Sequence, residues 1–204
     1  MMLLLLGATG LVGGHVLEQA LRDARISAVT VPVRRPIPPR DKLHAPLVDF
    51  ERLPEEADAV VCALGSTRRK AGSAAAFRHI DHDIVLAALR LARAHGTPTL
   101  ALVSAAGADE RSPFLYPRVK GETERDAAAL GFASLTILRP GLIGGERAEH
   151  RPAERVALAL GRIVQPLLPR ALRINPAERI AARLVEAAVE AAPGRRFVGS
   201  RELA

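Results

Sequence analysis

The sequence predicts an α/β protein, a doubly wound parallel sheet, and three observations predict it. Apolar runs of strand length alternate with helical periodicity from one end of the chain to the other, the pattern of successive βα units. The first run, Leu3–Leu6, passes straight into Gly7-Ala8-Thr9-Gly10-Leu11-Val12-Gly13-Gly14 and then into an amphipathic segment. No internal repeat or low-complexity linker interrupts the order, so one layered domain accounts for all 204 residues.

Element by element, Leu3–Leu6 reads as a buried strand and Leu11–Asp23 as the first helix. Ala28–Val33 is a second strand, broken by Arg34-Arg35-Pro36; the proline-rich 36–46 stretch reads as a loop and Leu47–Phe50 as a short third strand. Asp58–Leu64 is a continuous apolar strand ending at Gly65-Ser66-Thr67. Ala74–His95 has helical periodicity and stops at Gly96 and Pro98. Thr99–Ser104 is a strand, Pro117–Leu130 a helix closed by Gly131, and Ser134–Leu138 a strand cut by Arg139-Pro140-Gly141. Beyond it the pattern loosens into helices at Ala153–Ile163 and Pro176–Ala191 and a short Arg196–Val198 strand. We therefore expect a core over 1–140 and a small C-terminal lid over 141–204.

Composition narrows the function classes. The chain is 49% hydrophobic with no Trp and one Tyr, which gives an aliphatic core rather than disorder. One Cys leaves no internal disulfide and fits a reducing compartment. Met1–Leu6 lacks a basic flank and runs into the glycine turn, so it reads as a strand rather than a targeting segment, and a cytoplasmic protein is expected. No apolar run approaches the roughly 20 residues of a membrane span. The net charge of +7 is Arg-rich but scattered among carboxylates, and only 3% of residues are aromatic. That balance argues against nucleic acid and for an anionic small molecule.

The glycine turn identifies that anion. A strand, a glycine turn and a helix start present backbone N–H groups to a pyrophosphate, and the dinucleotide crevice of a doubly wound sheet is built this way. Gly7 permits the tight turn, Gly10 lets backbone approach the phosphates, and Gly13 lets the helix pack close to the strand. Arg34 and Arg35 follow the second strand, 21 and 22 residues beyond Gly13, where an NAD site usually carries a carboxylate for the ribose 2′-hydroxyl. Guanidinium groups there suit a 2′-phosphate, so NADP(H) is the expected cofactor. Asp49 is placed either to accept from the adenine amino group or as a plain surface carboxylate at a strand end. Gly65, where the fourth strand ends, lets backbone run beside the adenosine ribose.

Tyr116-Pro117-Arg118-Val119-Lys120 is the second signal. Residues four apart on a helix share a face, and an ammonium beside a phenol favours the phenolate. Such a pair exchanges a proton with a carbonyl or alcohol while hydride moves at a nicotinamide. The alternative is a half-buried Tyr beside a surface Lys. Ser104, at the end of the fifth strand, and Ser112, in a loop, both stand where a hydroxyl would polarise the substrate oxygen. Cys62 reads as a small core residue. The six His residues show no metal-ligand spacing, and Arg147–Arg151 reads as a solvated, ion-paired cluster.

Taken together, GATGLVGG, VRRP, CALGSTRRKAGS, LVSAAGAD, YPRVKGETE and LRPGLIGGERAEHRPAER resemble atypical short-chain dehydrogenases/reductases of the Tat-interacting-protein oxidoreductase-like branch. The resemblance implies a Rossmann fold that binds NADPH, with pyrophosphate at Gly7, Thr9, Gly10, Leu11, Val12 and Gly13 and the 2′-phosphate at Arg34 and Arg35. It implies adenosine along Asp49, Phe50, Leu64 and Gly65. Lys120 would hold the nicotinamide ribose, with Pro140, Gly141, Leu142 and Ile143 beside the nicotinamide, Tyr116 as general acid/base and Ser104 as its helper. The chain departs from classical members where Cys62-Ala63-Leu64-Gly65 replaces Asn-Asn-Ala-Gly, and in the short segment after Gly141. The expectation is an NADP(H)-dependent oxidoreductase acting on a small carbonyl or enone-like substrate, as monomer or homodimer. The competing expectation is an NADPH-sensing regulator that engages a protein partner without significant turnover.

Overall fold

Four consecutive leucines cannot alternate apolar with polar, so the strand they form must be covered on both faces. In the computed structural model, which describes residues 1–47, 57–66, 71–144 and 174–204, β1 (Met2–Leu6) is that strand. Leu3 and Leu5 join one core with Val16 and Ala20 of α1 (Leu11–Arg22) and Ile180 and Leu184 of α5 (Ala177–Glu190). Leu4 and Leu6 join the other, with Leu86 and Leu89 of α3 (Val85–Ala94) and Ala127 of α4 (Leu115–Ala129).

The remaining strands of the main sheet are β2 (Ala28–Thr30), β3 (Leu43–His44), β4 (Ala59–Cys62), β5 (Thr99–Val103), β6 (Ser134–Arg139) and β9 (Gly194–Gly199). Seven strands pair in the order β3-β2-β1-β4-β5-β6-β9, every pair parallel. Leu3–Leu6 lie opposite Ala59–Cys62 on one side of β1, and Met2–Leu4 opposite Ala28–Thr30 on the other. The order runs outward in both directions from the β1/β4 junction. The carboxyl ends of those two strands therefore frame the crevice in which open α/β sheets hold their ligands. The doubly wound parallel sheet is the fold the sequence predicts.

Several local expectations are corrected. The third strand lies earlier than Leu47–Phe50: Val29, Val31 and Val33 N–H groups donate to the carbonyls of Lys42, His44 and Pro46, and Val33 bridges Leu47. Proline lacks an N–H but keeps its acceptor, so a proline-containing stretch can still serve as the receiving edge of a ladder. The rest of the expected strand, Val48-Asp49-Phe50, lies outside the described residues, as do the expected Ala153–Ile163 helix and the Arg147–Arg151 cluster.

The single helix expected over Ala74–His95 is three joined segments: α2 (Ala74–Arg78), a π-helical turn (His79–Ile84) and α3. Helix α4 begins at Leu115, two residues before the expected start, with Pro117 in its first turn, where the missing N–H costs nothing. The sequence reading also lacks a two-stranded parallel ladder, β7 (Ile143–Gly144) with β8 (Asn175–Pro176), and a closing helix α6 (Ser200–Leu203).

Candidate functional site

The glycine turn is shaped by contacts that exclude side chains. Gly7 has φ +89°, and a Cβ there would stand 2.8 Å from the backbone of Ala63 and Leu64 at the exit of β4. A Cβ on Gly13 would overlap the Gly7 carbonyl oxygen and lie 2.7 Å from its carbon, so α1 packs directly on the turn. Gly10 N–H closes the turn on Gly7 O at 3.0 Å. Gly10 is also the N-cap of α1; no side chain caps this end and its first turn carries no acidic residue. Thr9 and Gly10 are exposed, Leu11 is half-buried, and Val12 and Gly13 are buried beneath them. This backbone turn, with no acidic residue in the first turn of α1, fits an anionic pyrophosphate.

Around it, the chain continues as a doubly wound sheet requires. Arg34 and Arg35 are exposed immediately after Val33, and neither has a carboxylate partner among the described residues. Leu64 is half-buried and Gly65 exposed just past β4. Asp49 and Phe50 lie outside the described residues.

Tyr116 and Lys120 sit one turn apart on α4, but in different surroundings. Tyr116 is 41% exposed, its ring stacked on the fully buried Phe77 at 5.5 Å between centroids. Lys120 is 6% exposed, and its Nζ lies 2.7 Å from Oδ1 of Asp81, which is wholly buried in the π-helical turn. Oδ2 of Asp81 accepts the Ser66 N–H at 2.7 Å, and its backbone carbonyl accepts Thr123 Oγ1 at 3.0 Å. The two candidate serines also part company. Ser112 Oγ accepts the Phe114 N–H at the entry to α4. Ser104 is buried after β5, its N–H donates to Leu138 O, and its Oγ has no partner among the described residues. A buried hydroxyl left without a partner is costly; among the described residues Ser134 Oγ, at the start of β6, is in the same condition.

The segment Pro140–Ile143 is held by three hydrogen bonds, one to Ala106 and two to Asn175. Ala106 N–H donates to Pro140 O at 2.7 Å, Gly141 N–H to Asn175 Oδ1 at 2.6 Å, and Asn175 N–H to Leu142 O at 2.8 Å. Asn175 is fully buried; its Nδ2 donates to Ser200 O and its Oδ1 accepts Ser200 Oγ, each at 2.9 Å. A Cβ on Gly141 would stand 2.9 Å from Ser200 Oγ. Leu142 is exposed.

Asp81, Asn175 and Ser200 are absent from the sequence reading. The one hint for Asn175 is its position before Pro176 at the start of a helical pattern; Asp81, between Ile80 and His82 in a polar stretch of a helical pattern, gives no hint at all.

Cys62 is wholly buried and burial pushes its thiol up to about 11, so it is a core residue. His82 is clamped between Asp83 and Asp126 at 2.7 and 3.0 Å, and no cluster among the described residues has the composition of a metal site. A cavity of about 290 Å³ opens on the other flank of α4, against Arg139, Arg195 and Phe197. Its Arg139 is paired with Glu124 and its Arg125 with Glu110 and Asp126, so it is separate from the cradle and largely self-neutralised. No helix among the described residues is long and apolar enough to cross a membrane.

Comparison with known proteins agrees with this geometry. A sequence-family profile described as NAD(P)H-binding matches residues 7–154. The mitochondrial protein fmp52 of Aspergillus niger is 40% identical over 165 residues, covering 74% of this chain and 70% of that protein. Protein HTATIP2 of Rattus norvegicus is 40% identical over 163 residues, covering 75% of this chain and 67% of its own. Human epimerase family protein SDR39U1, solved with NADPH, superposes with a TM-score of 0.67 at 16% identity, over 99% of this chain and 77% of that one. MoeE5 with UDP-glucose and NAD superposes with a TM-score of 0.73 at 17% identity, over 98% and 75%. At such identities the structures speak for the fold alone. The cytoplasmic expectation is corrected by the fungal relatives, from Candida albicans as well as Aspergillus, which are named as mitochondrial proteins. With the glycine cradle, the sheet order and these relatives in agreement, the chain belongs to the NAD(P)H-binding atypical short-chain dehydrogenase/reductase family, in the branch that includes HTATIP2.

Proposed function

We propose that the chain is an NADP(H)-dependent oxidoreductase that reduces a small carbonyl or enone-like substrate. The observation that carries this reading is Ser104: a buried hydroxyl without a partner, at the carboxyl end of the strand that leads to Tyr116 and Lys120. When bound, the reduced nicotinamide supplies the hydride. The chain's own residues do the rest. Ser104 Oγ donates a hydrogen bond to the substrate oxygen and polarises it, and the Tyr116 hydroxyl delivers the proton to that oxygen. Lys120 holds the nicotinamide ribose, and Pro140–Ile143 form the wall beside the ring. Gly7, Thr9, Gly10, Leu11, Val12 and Gly13 cradle the pyrophosphate, and Leu64 and Gly65 line the adenosine side.

The preference for the phosphorylated cofactor rests on Arg34 and Arg35, two exposed guanidinium groups beyond the second strand without carboxylate partners among the described residues. The test is a paired fluorescence titration with NADPH and NADH, in the wild type and in Arg34→Ala/Arg35→Ala. Tighter binding of NADPH than NADH, with the difference lost in the double variant, is the expected result. Equal affinity in the wild type would overturn the NADP(H) assignment.

A further inference from the structure

We infer that Asp81 is the positioning residue for Lys120, fixing the ammonium where it grips the nicotinamide ribose; this rests on the oxidoreductase reading above. Lys120 is the only buried lysine among the described residues, and a buried ammonium persists as a charge only beside a counter-charge. Asp81 supplies it at 2.7 Å. An ordinary helical turn would continue α2 into α3 without interruption. Here the wider His79–Ile84 turn intervenes, the kind of insertion that re-aims one side chain and recurs at functional sites. Asp81 is completely buried, as is His82 beside it, although His79 and Asp83, two positions to either side, are exposed.

The carboxylate does more than neutralise a charge. One oxygen meets Lys120, the other accepts the Ser66 N–H, and the backbone carbonyl of the same residue accepts Thr123 Oγ1 from the next position but two on α4. Asp81 thus ties the exit of β4 to the helix that carries Tyr116 and Lys120. Gly65 lies directly over the pair: a Cβ there would stand 3.1 Å from Asp81 Oδ1 and 3.4 Å from Lys120 Nζ. Since Gly65 is itself exposed, only one glycine separates the ion pair from the ligand side of the sheet. An ammonium has three N–H donors, and the contact with Asp81 Oδ1 is an ion pair without an aligned hydrogen bond, so donors remain for ribose hydroxyls.

The test compares Asp81→Asn, Lys120→Met and the double variant, by NADPH fluorescence titration, by displacement with 2′,5′-ADP and by thermal unfolding. Asparagine keeps the acceptor for Ser66 N–H and removes only the counter-charge. Asp81→Asn and Lys120→Met are each expected to weaken NADPH about tenfold, the scale of one charge-assisted hydrogen bond. Affinity for 2′,5′-ADP, which has no nicotinamide ribose, is expected to stay within about twofold. The double variant is expected to bind NADPH no more weakly than Lys120→Met alone, because the two residues act as a unit. It is also expected to unfold at a higher temperature than Asp81→Asn, since no unpaired charge remains buried. Wild-type affinity for NADPH in Asp81→Asn, equal loss of both ligands, or additive losses in the double variant would overturn the positioning role. Should Asp81→Asn not fold, the comparison of the double variant with Lys120→Met still decides. Wild-type protein that binds no NADPH would overturn the underlying oxidoreductase reading, a result visible before any variant is made.

Discussion

Replacing Gly13 by alanine is expected to damage both stability and cofactor affinity, while the same change one residue later spares both. In Gly13→Ala the new methyl would overlap Gly7 O and stand 2.7 Å from Gly7 C and 3.0 Å from Ala8 Cα. Carbon–carbon contacts are comfortable from about 3.5 Å, so α1 must withdraw from the turn by roughly 1 Å. Its partners are backbone atoms, which no rotamer change relieves. Overpacking of this kind costs about 1–3 kcal/mol, and alanine returns up to ~1 kcal/mol of helix propensity. Taking the upper end for a clash with main chain, the net is about 2 kcal/mol, or a Tm lower by roughly 4–8 °C for a chain of this size. In Gly14→Ala the methyl meets only Ala8 O at 3.6 Å, an ordinary contact, and the propensity gain should raise Tm by about 2–4 °C. Gly10→Ala separates the two roles of the turn. Its methyl meets only Gly7 O, at 3.3 Å, so stability should change by less than ~1 kcal/mol, while the methyl occupies the approach to the phosphates and NADPH affinity falls. Thermal unfolding and NADPH titration of the three variants read these outcomes directly. A Gly13→Ala protein with wild-type Tm and wild-type affinity would refute the close packing of α1 on the turn.

Two further outcomes follow from particular groups. Tyr116→Phe is expected to keep NADPH affinity within about twofold while lowering kcat by ~10²-fold or more, because the ring still stacks on Phe77 and only the proton donor is gone; steady-state kinetics on a panel of aldehydes, ketones and quinones measures it, and full turnover would sink the acid/base role. Asp23 is held at about 2, below its ordinary 3.8, by the Arg25 side chain first and then by the Arg25 backbone N–H. A depressed carboxyl stabilises the fold above its unfolded value and loses that contribution as pH falls from about 4 through about 2; at so exposed a pair it is worth under ~1 kcal/mol. The stability difference between wild type and Asp23→Asn in urea should therefore shrink across that window, and a difference independent of pH would count against the pairing.

What the sequence made legible was what has a local signature. Leu3–Leu6 must be buried on both faces, and the glycines that follow are needed by their neighbours in the chain: Gly7 for its φ, Gly13 for its contact with Gly7. Tyr116 and Lys120 belong to one helix turn, so spacing alone brings them together. Asp81 escapes notice because its role depends on a residue 39 positions away and on a π-helical turn that periodicity at 3.6 residues does not register. Asn175 escapes for the same reason, since it is defined by Gly141 and Ser200, 34 and 25 positions distant. The third strand was misplaced because prolines signal a loop, although Pro46 contributes only the carbonyl that a receiving edge needs.

Two of the residues that sequence reasoning lacked, Asp81 and Asn175, stand at the carboxyl ends of strands on either side of β5 and do the same kind of work. Asp81 ties the exit of β4 to α4, beneath Gly65; Asn175 ties the exit of β6 to α6, beneath Gly141. In each case a fully buried polar side chain uses its acceptor on a backbone N–H of a loop at the carboxyl edge, and a glycine in that loop lies against the polar cluster. A loop free to open would need neither. Buried polar groups are retained at a cost, and here the cost fixes two backbone loops, with the Ser104 hydroxyl, unpartnered among the described residues, after the strand between them. A cradle serving only to sense a dinucleotide needs its phosphate end to be rigid. Under the proposed function these loops are the nicotinamide end, and their rigidity, together with the Ser104 hydroxyl, suits hydride transfer.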